Sequence, residues 1–223
     1  MRPAPRTIDI LALLSEGAAV TGKIAAAAAV FALLLAVPLG LGRSSPYAAI
    51  RILCVIYVEF FRGTSLVVQL FWLYFVLPPM GIRLEAMTVA ILGISLNYGA
   101  YGAEVVRGAV QSVSKGQVLA ARALGFSPWC VLRYVVAPQA MTIFVRPWGN
   151  LMIQLLKATS LVSLITIADL TYRAYQMHQL TMRTFPIFGA VLVIYFIMAQ
   201  CIALVTAQAD RHFGRWRFPG GVR

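Results

Sequence analysis

Acidic residues are scarce in this sequence: seven Asp and Glu stand against nineteen Lys and Arg, for a formal net charge of +12. Charge of either sign is thin, at 12% of 223 residues, where soluble globular chains carry about 25%. That excludes an ordinary water-soluble domain. A chain that is 61% apolar, with mean hydropathy +0.82, needs an apolar solvent, which a bilayer supplies. The three cysteines, Cys54, Cys130 and Cys201, lie far apart without a CxxC pair, which argues against a disulfide framework or a thiolate metal site. His178 and His212 stand alone, so no metal is expected. The sequence has no GxxxxGK[ST] to cradle a nucleotide phosphate, and no HExxH or GxSxG to carry catalysis. No catalytic residue is assigned. The basic residues form no single patch of the kind that binds nucleic acid. They sit singly between apolar runs and gather near the C-terminus, the pattern of a membrane protein with basic loops.

Long apolar runs are what the chain does have. Ile24 to Gly42 is uncharged between Lys23 and Arg43. Ala48 to Leu77 reads as one long helix, tilted or bent, with Pro78-Pro79 as its stop. Ala86 to Ala103 ends at Glu104 and Arg107, and Thr142 to Ala168 is apolar apart from Arg146 and Lys157. Thr184 to Ala209 carries no charge. The expectation is an all-α membrane protein of about five transmembrane helices, forming a single domain over 1–223 with its core at 18–210. Asp9 and Glu16 precede the first run, which argues against a cleaved signal peptide.

Charge sets the expected orientation. With the N-terminus outside and the C-terminus in the cytoplasm, the inner segments carry Arg43, Arg51, Arg107, Lys115, Arg122, Arg133, Arg211, Arg215, Arg217 and Arg223. The outer segments carry only Arg2, Arg6, Arg83, Arg173 and Arg183. The long polar loop between the third and fourth helices, 108–141, is then cytoplasmic. Within it Gln117 to Leu124 reads as a short helix, Gly125 as its left-handed cap, Ser127-Pro128 as the start of another, and Pro138 as the end of the segment. A short helix-turn-helix on the inner face reads as a docking knob, with an ordinary amphipathic loop as the plain alternative.

This loop resembles the EAA loop of ABC importer permeases, through Ala120-Ala121, Gly125 and Ala137-Pro138. Glu59-Phe-Phe-Arg-Gly-Thr-Ser65, Gln69-Leu-Phe71, Asn97-Tyr-Gly-Ala-Tyr-Gly-Ala-Glu104 and Lys157-Ala-Thr-Ser-Leu161 resemble stretches typical of the polar amino acid permeases, and within these the ectoine and hydroxyectoine permeases. Leu119 stands where the family has its Glu, and Ala137 where it has Leu. The resemblance implies a multi-pass protein of the bacterial inner membrane that is not itself an enzyme. It would hold no cofactor, because ATP is bound by a pair of partner subunits docked at Gly116, Ala120, Ala121, Gly125 and Pro138. It further implies an extracytoplasmic solute-binding protein and a second, homologous or identical, permease subunit, all in contact with membrane lipid and with no nucleic acid.

Three helices carry polar residues at helical spacing: Glu59, Arg62 and Gln69; Asn97, Tyr101 and Glu104; and Asn150, Gln154 and Lys157. Polar groups inside a bilayer are costly and usually face a cavity or a partner. They would line a translocation path, offering both charge signs to a small zwitterionic solute. The alternative is mutual pairing, for example Glu59 with Arg62 or Glu104 with Arg107. Lys157 reads as a mid-helix cation, and Gly99, Gly102 and Gly108 as packing positions.

Overall fold

A computed structural model describes residues 7–214. Helix α1 spans Thr7–Gly42, α2 Ala48–Gly63 and α3 Leu66–Phe71, the last continuing as a π-helix over Trp72–Val76. Then come α4 (Ala86–Gln111), α5 (Lys115–Ala123), α6 (Pro128–Cys130), a π-helical stretch (Val131–Val136) and α7 (Ala137–Ala158). A 3-10 segment (Thr159–Ile165), α8 (Leu170–Thr181) and α9 (Thr184–Gly214) complete the described residues. Four stretches are long and apolar enough to cross a membrane: Ala12–Gly42, Ala86–Gln111, Pro128–Ile165 and Thr184–Gly214. The pair α2 and α3 supplies the fifth. Arg2, Arg6, Arg215, Arg217 and Arg223 of the orientation argument lie outside the described residues.

The core forms where α1, α4 and α7 meet, around Ile24, Ile94, Leu155 and Leu156, with Leu70 of α3 and Ile165 sealing it. Small residues let α1 and α4 approach closely. A Cβ at Gly102 would lie 2.8 Å from that of Ala36 and 2.7 Å from the Trp148 ring, so nothing larger than glycine fits. Gly99 is similarly placed against Leu35, whereas Gly108 faces open space and is not a packing position. Helix α9 buries only Ile187 among its residues and lies on the outside of the bundle.

Several sequence expectations are corrected. The run from Ala48 to Leu77 is not one helix: it breaks at Gly63-Thr64-Ser65 and turns by 100°. Glycine lowers helix stability, and the neighbouring hydroxyls compete for the backbone. Thr64 Oγ1 donates to the Phe60 carbonyl at 2.8 Å, using an acceptor that the helix end leaves free. Pro138 closes nothing. It lies in the first turn of α7, where its missing N–H costs little, and the helix opened at Pro128 runs through to Ala158. Arg146 therefore sits inside that rod rather than at its start, and it pairs with Asp210 of α9 at 2.8 Å. Lys157 occupies the last turn of α7, not its middle.

Helix α8 lies between the last two spans, in a stretch with no apolar run of bilayer length to announce it. Asp169 caps it, accepting the Tyr172 N–H on Oδ1 at 2.9 Å, and is fully buried. Its Oδ2 has no partner. Thr21 of α1 accepts the Leu170 N–H at 3.2 Å, and Thr171 meets the Tyr195 hydroxyl at 3.3 Å, so α8 is tied to both α1 and α9. Burial raises the Asp169 carboxyl from 3.8 to about 6. The folded state thus holds this proton more tightly than the unfolded chain. The stability it contributes is complete below about pH 4, is lost as pH rises through about 6, and changes no further above that. Asp169→Asn keeps an acceptor for the cap and is expected to remove this pH 4–6 slope, raising stability at pH 7 by up to ~3 kcal/mol. Thermal melts of the purified protein at pH 5 and pH 7 test it; an unaltered slope in the variant refutes the assignment.

Candidate functional site

The break between α2 and α3 is the centre of the polar groups. A helix that ends inside a bilayer leaves carbonyls and N–H groups without intrahelical partners, and these must be satisfied within the protein. Asn97 of α4 does so. Its Nδ2 donates to the Phe61 carbonyl at 2.9 Å and to Gln69 Oε1 at 3.2 Å. Gln69 Nε2 donates in turn to the Phe61 carbonyl at 3.1 Å and to Thr64 Oγ1. Both amides are buried. One turn on, Tyr101 lies beneath Arg62, whose guanidinium carbon is 5.4 Å from the ring centroid.

A second cluster lies at the C-terminal ends of α1 and α4. Arg43, just past α1, reaches Glu104 at 2.8 Å and Glu59 at 3.3 Å, and Arg107 pairs with the other oxygen of Glu104 at 2.7 Å. Glu104 therefore pairs with Arg107, one of the two pairings the sequence suggested. Glu59 pairs with Arg43 and not with Arg62. Arg43 is the hub of this cluster, a role that its place in a short loop after α1 does not announce. The signal available is α2 alone, the helix that follows Arg43 and bears Glu59, since Glu104 lies on α4, remote in sequence.

Six of the nine polar residues, Glu59, Arg62, Gln69, Asn97, Tyr101 and Glu104, thus meet between α2, α3 and α4. The other three behave differently. Asn150, Gln154 and Lys157 lie along one exposed face of α7, and no hydrogen bond or ion pair joins their side chains to any described residue. Asn150 lines an open cavity of about 470 Å³ beside the Arg146–Asp210 pair.

The knob forms at the basic end of the bundle. Helix α5 carries Gly116 and Ala120 on its exposed side, while Ala121 is buried against Val131 and Val136 and anchors the knob to the rod. Gly125 ends α5 with φ +83°, a left-handed conformation that favours glycine. Ser127 then caps the next helix, its Oγ accepting the Cys130 N–H at 3.3 Å, with Pro128 in the first turn. Pro138 lies in α7, away from this turn. The exposed rim of the knob is apolar: Leu119 and Leu124 are 63% and 78% exposed, with Phe126 beside them. Exposed apolar clusters of this kind mark contact surfaces.

Comparison with known proteins agrees with this architecture. Residues 28–217 match the family described as "Binding-protein-dependent transport system inner membrane component". The chain is 40% identical over 215 residues to the "Probable amino-acid ABC transporter permease protein y4tF" of Sinorhizobium fredii, covering 94% of this chain and 90% of that one. It is 34% identical over 201 residues to the "Glutamine transport system permease protein GlnP" of Escherichia coli, covering 89% and 92%. Among solved structures, that of an amino acid ABC transporter with histidines superposes with a TM-score of 0.85 at 32% identity, covering 92% of this chain and 96% of that one. The MetNI methionine ABC transporter shares the fold, with a TM-score of 0.81 at 20% identity, over 93% of this chain and 99% of that one. With four long apolar helices and the bent α2–α3 pair, and with these relatives, the chain belongs to the binding-protein-dependent transport system inner membrane components, as a multi-pass ABC transporter permease subunit rather than an enzyme.

Proposed function

We propose that this permease imports a small, polar, zwitterionic amino-acid-like solute, with its N-terminus outside and its C-terminus in the cytoplasm. The observation that carries the proposal is the α7 face of Asn150, Gln154 and Lys157, exposed and without partners in a spanning helix. Such a face is not left against lipid. A second permease subunit, alike or homologous, covers it and completes a path along it. The amide groups offer donors and acceptors to an amino acid backbone, and Lys157 offers its carboxylate a cation. The network of Glu59, Arg43 and Glu104 stands at the basic end, where this path would meet the cytoplasm.

A pair of ATP-binding subunits docks on the α5 knob, and an extracytoplasmic binding protein delivers the solute. The names of the relatives speak for polar α-amino acids. The motifs around Arg62, Asn97 and Lys157 add the cyclic derivatives ectoine and hydroxyectoine as candidates. Competition uptake with glutamine, arginine, histidine and ectoine in reconstituted vesicles tests the solute class; failure of every zwitterion to compete sinks the reading. Lys157→Ala is expected to reduce uptake at least ten-fold while the complex still assembles, since about 1.4 kcal/mol of lost interaction with the carboxylate is a factor of ten. Unchanged uptake removes Lys157 from the path.

A further inference from the structure

At the basic end of the bundle a groove of about 470 Å³ opens between the ends of α1 and α4 and the start of the Pro128–Ala158 rod. Its walls are apolar, formed by Val37 and Leu41 of α1, Val106 and Val110 of α4, and Met141 and Phe144 of α7. Trp129 and Arg133, in the first turns of the rod, line the end nearest the knob and are both exposed. Phe144 closes the other end about three turns further along. Among the described residues no carboxylate lies within salt-bridge distance of Arg133. Its guanidinium carbon lies 5.9 Å from the Tyr134 ring, which leaves the N–H fork free.

These features describe a lipid position with a charge preference. An apolar trough at membrane depth is filled most favourably by a hydrocarbon chain. Tryptophan is favoured at the headgroup level, and Trp129 is exposed in the first turn of the Pro128–Ile165 span. An unpaired guanidinium beside it presents parallel donors that match phosphate oxygens. On the orientation proposed above, this end faces the anionic inner leaflet, which favours a negatively charged headgroup over a neutral one. We propose that this groove holds one acyl chain of an anionic phospholipid, with Arg133 binding the headgroup phosphate.

The test uses the full chain, in the complex with which it purifies, in nanodiscs of equal parts phosphatidylglycerol and phosphatidylcholine. Both leaflets of a nanodisc have the same composition, so the outcome does not depend on the proposed orientation or solute. Native mass spectrometry should find phosphatidylglycerol retained over phosphatidylcholine. Arg133→Gln should lower that preference about five-fold, the factor that corresponds to about 1 kcal/mol for one basic residue at an anionic surface. A photo-reactive benzoylphenylalanine in place of Val37, which is exposed on the groove wall, should yield an adduct with the mass of a phospholipid. An adduct with a second permease copy or with an ATP-binding subunit would overturn the proposal, since protein would then cover the groove. So would equal retention of the two lipids, or a preference that Arg133→Gln leaves unchanged.

Discussion

Asn97→Leu is expected to destabilise the protein by about 2–4 kcal/mol and to abolish uptake. Leucine keeps asparagine's branching and its count of side-chain heavy atoms, so the main change is the loss of polarity. What it removes is the donor that the break between α2 and α3 relies on. Gln69 Oε1 then stays buried without a partner, and the Phe61 carbonyl keeps only the bond from Gln69. Leaving a buried acceptor unmet costs about 1–3 kcal/mol, and the lost bond to the carbonyl adds about 1. The expected fall in melting temperature is about 5–15 °C. Asn97→Asp separates the parts of the effect: it keeps an acceptor but loses both donations, and should fail to rescue. A wild-type melt and wild-type uptake in Asn97→Leu would mean that the clamp holds nothing.

Leu124→Asp is expected to release the ATP-binding subunits while leaving the permease folded and inserted. Leu124 is 78% exposed at the end of α5, so the substitution disturbs no internal contact. On the docking proposed above, it places a charge where the exposed Leu119, Leu124 and Phe126 rim would meet apolar groups of the ATP-binding subunit. Central positions of this kind cost about 2–4 kcal/mol on disruption, which lowers affinity about 30- to 1,000-fold. Co-purification of the ATPase and solute-stimulated ATP hydrolysis measure it. Retention of both would move the docking surface elsewhere on the basic end. The same reasoning treats Leu119, where the family has a glutamate, as part of an apolar contact rather than as a missing ion pair.

The spans, the knob and Gly125 were legible because each rests on local signals: uncharged runs of bilayer length, a glycine after a helical stretch, a serine before a proline. The break at Gly63-Thr64-Ser65 was hidden because apolar residues flank it on both sides, so hydropathy ran through it unbroken. Pro138 misled for a related reason, since proline ends helices in general but sits comfortably in a first turn, and here that turn was fused to a π-helical stretch. The site was half legible. Spacing found the polar residues on three helices, but spacing cannot say which stripe faces which. Asn97 and Gln69 turned out to hold a backbone break, while Asn150 and Gln154 face outward. Arg43 gains its role from Glu104, distant in sequence, and the helix that Asp169 caps is held through Leu170 and Thr171 by Thr21 and Tyr195 on neighbouring helices.

The gap between α2 and α3 also bears on how fast the molecule can change shape. A continuous helix resists bending because each degree of bend strains several rungs of its ladder. At Thr64 and Ser65 the chain is already extended, with φ −107°, ψ 150° and φ −71°, ψ 132°. The angle between the two halves is set by a few torsions and by one amide clip, not by a run of peptide rungs. Swinging α3 against α2 is therefore torsional diffusion with a latch. It belongs to the microsecond-to-millisecond range of hinge motions, with no need for local melting.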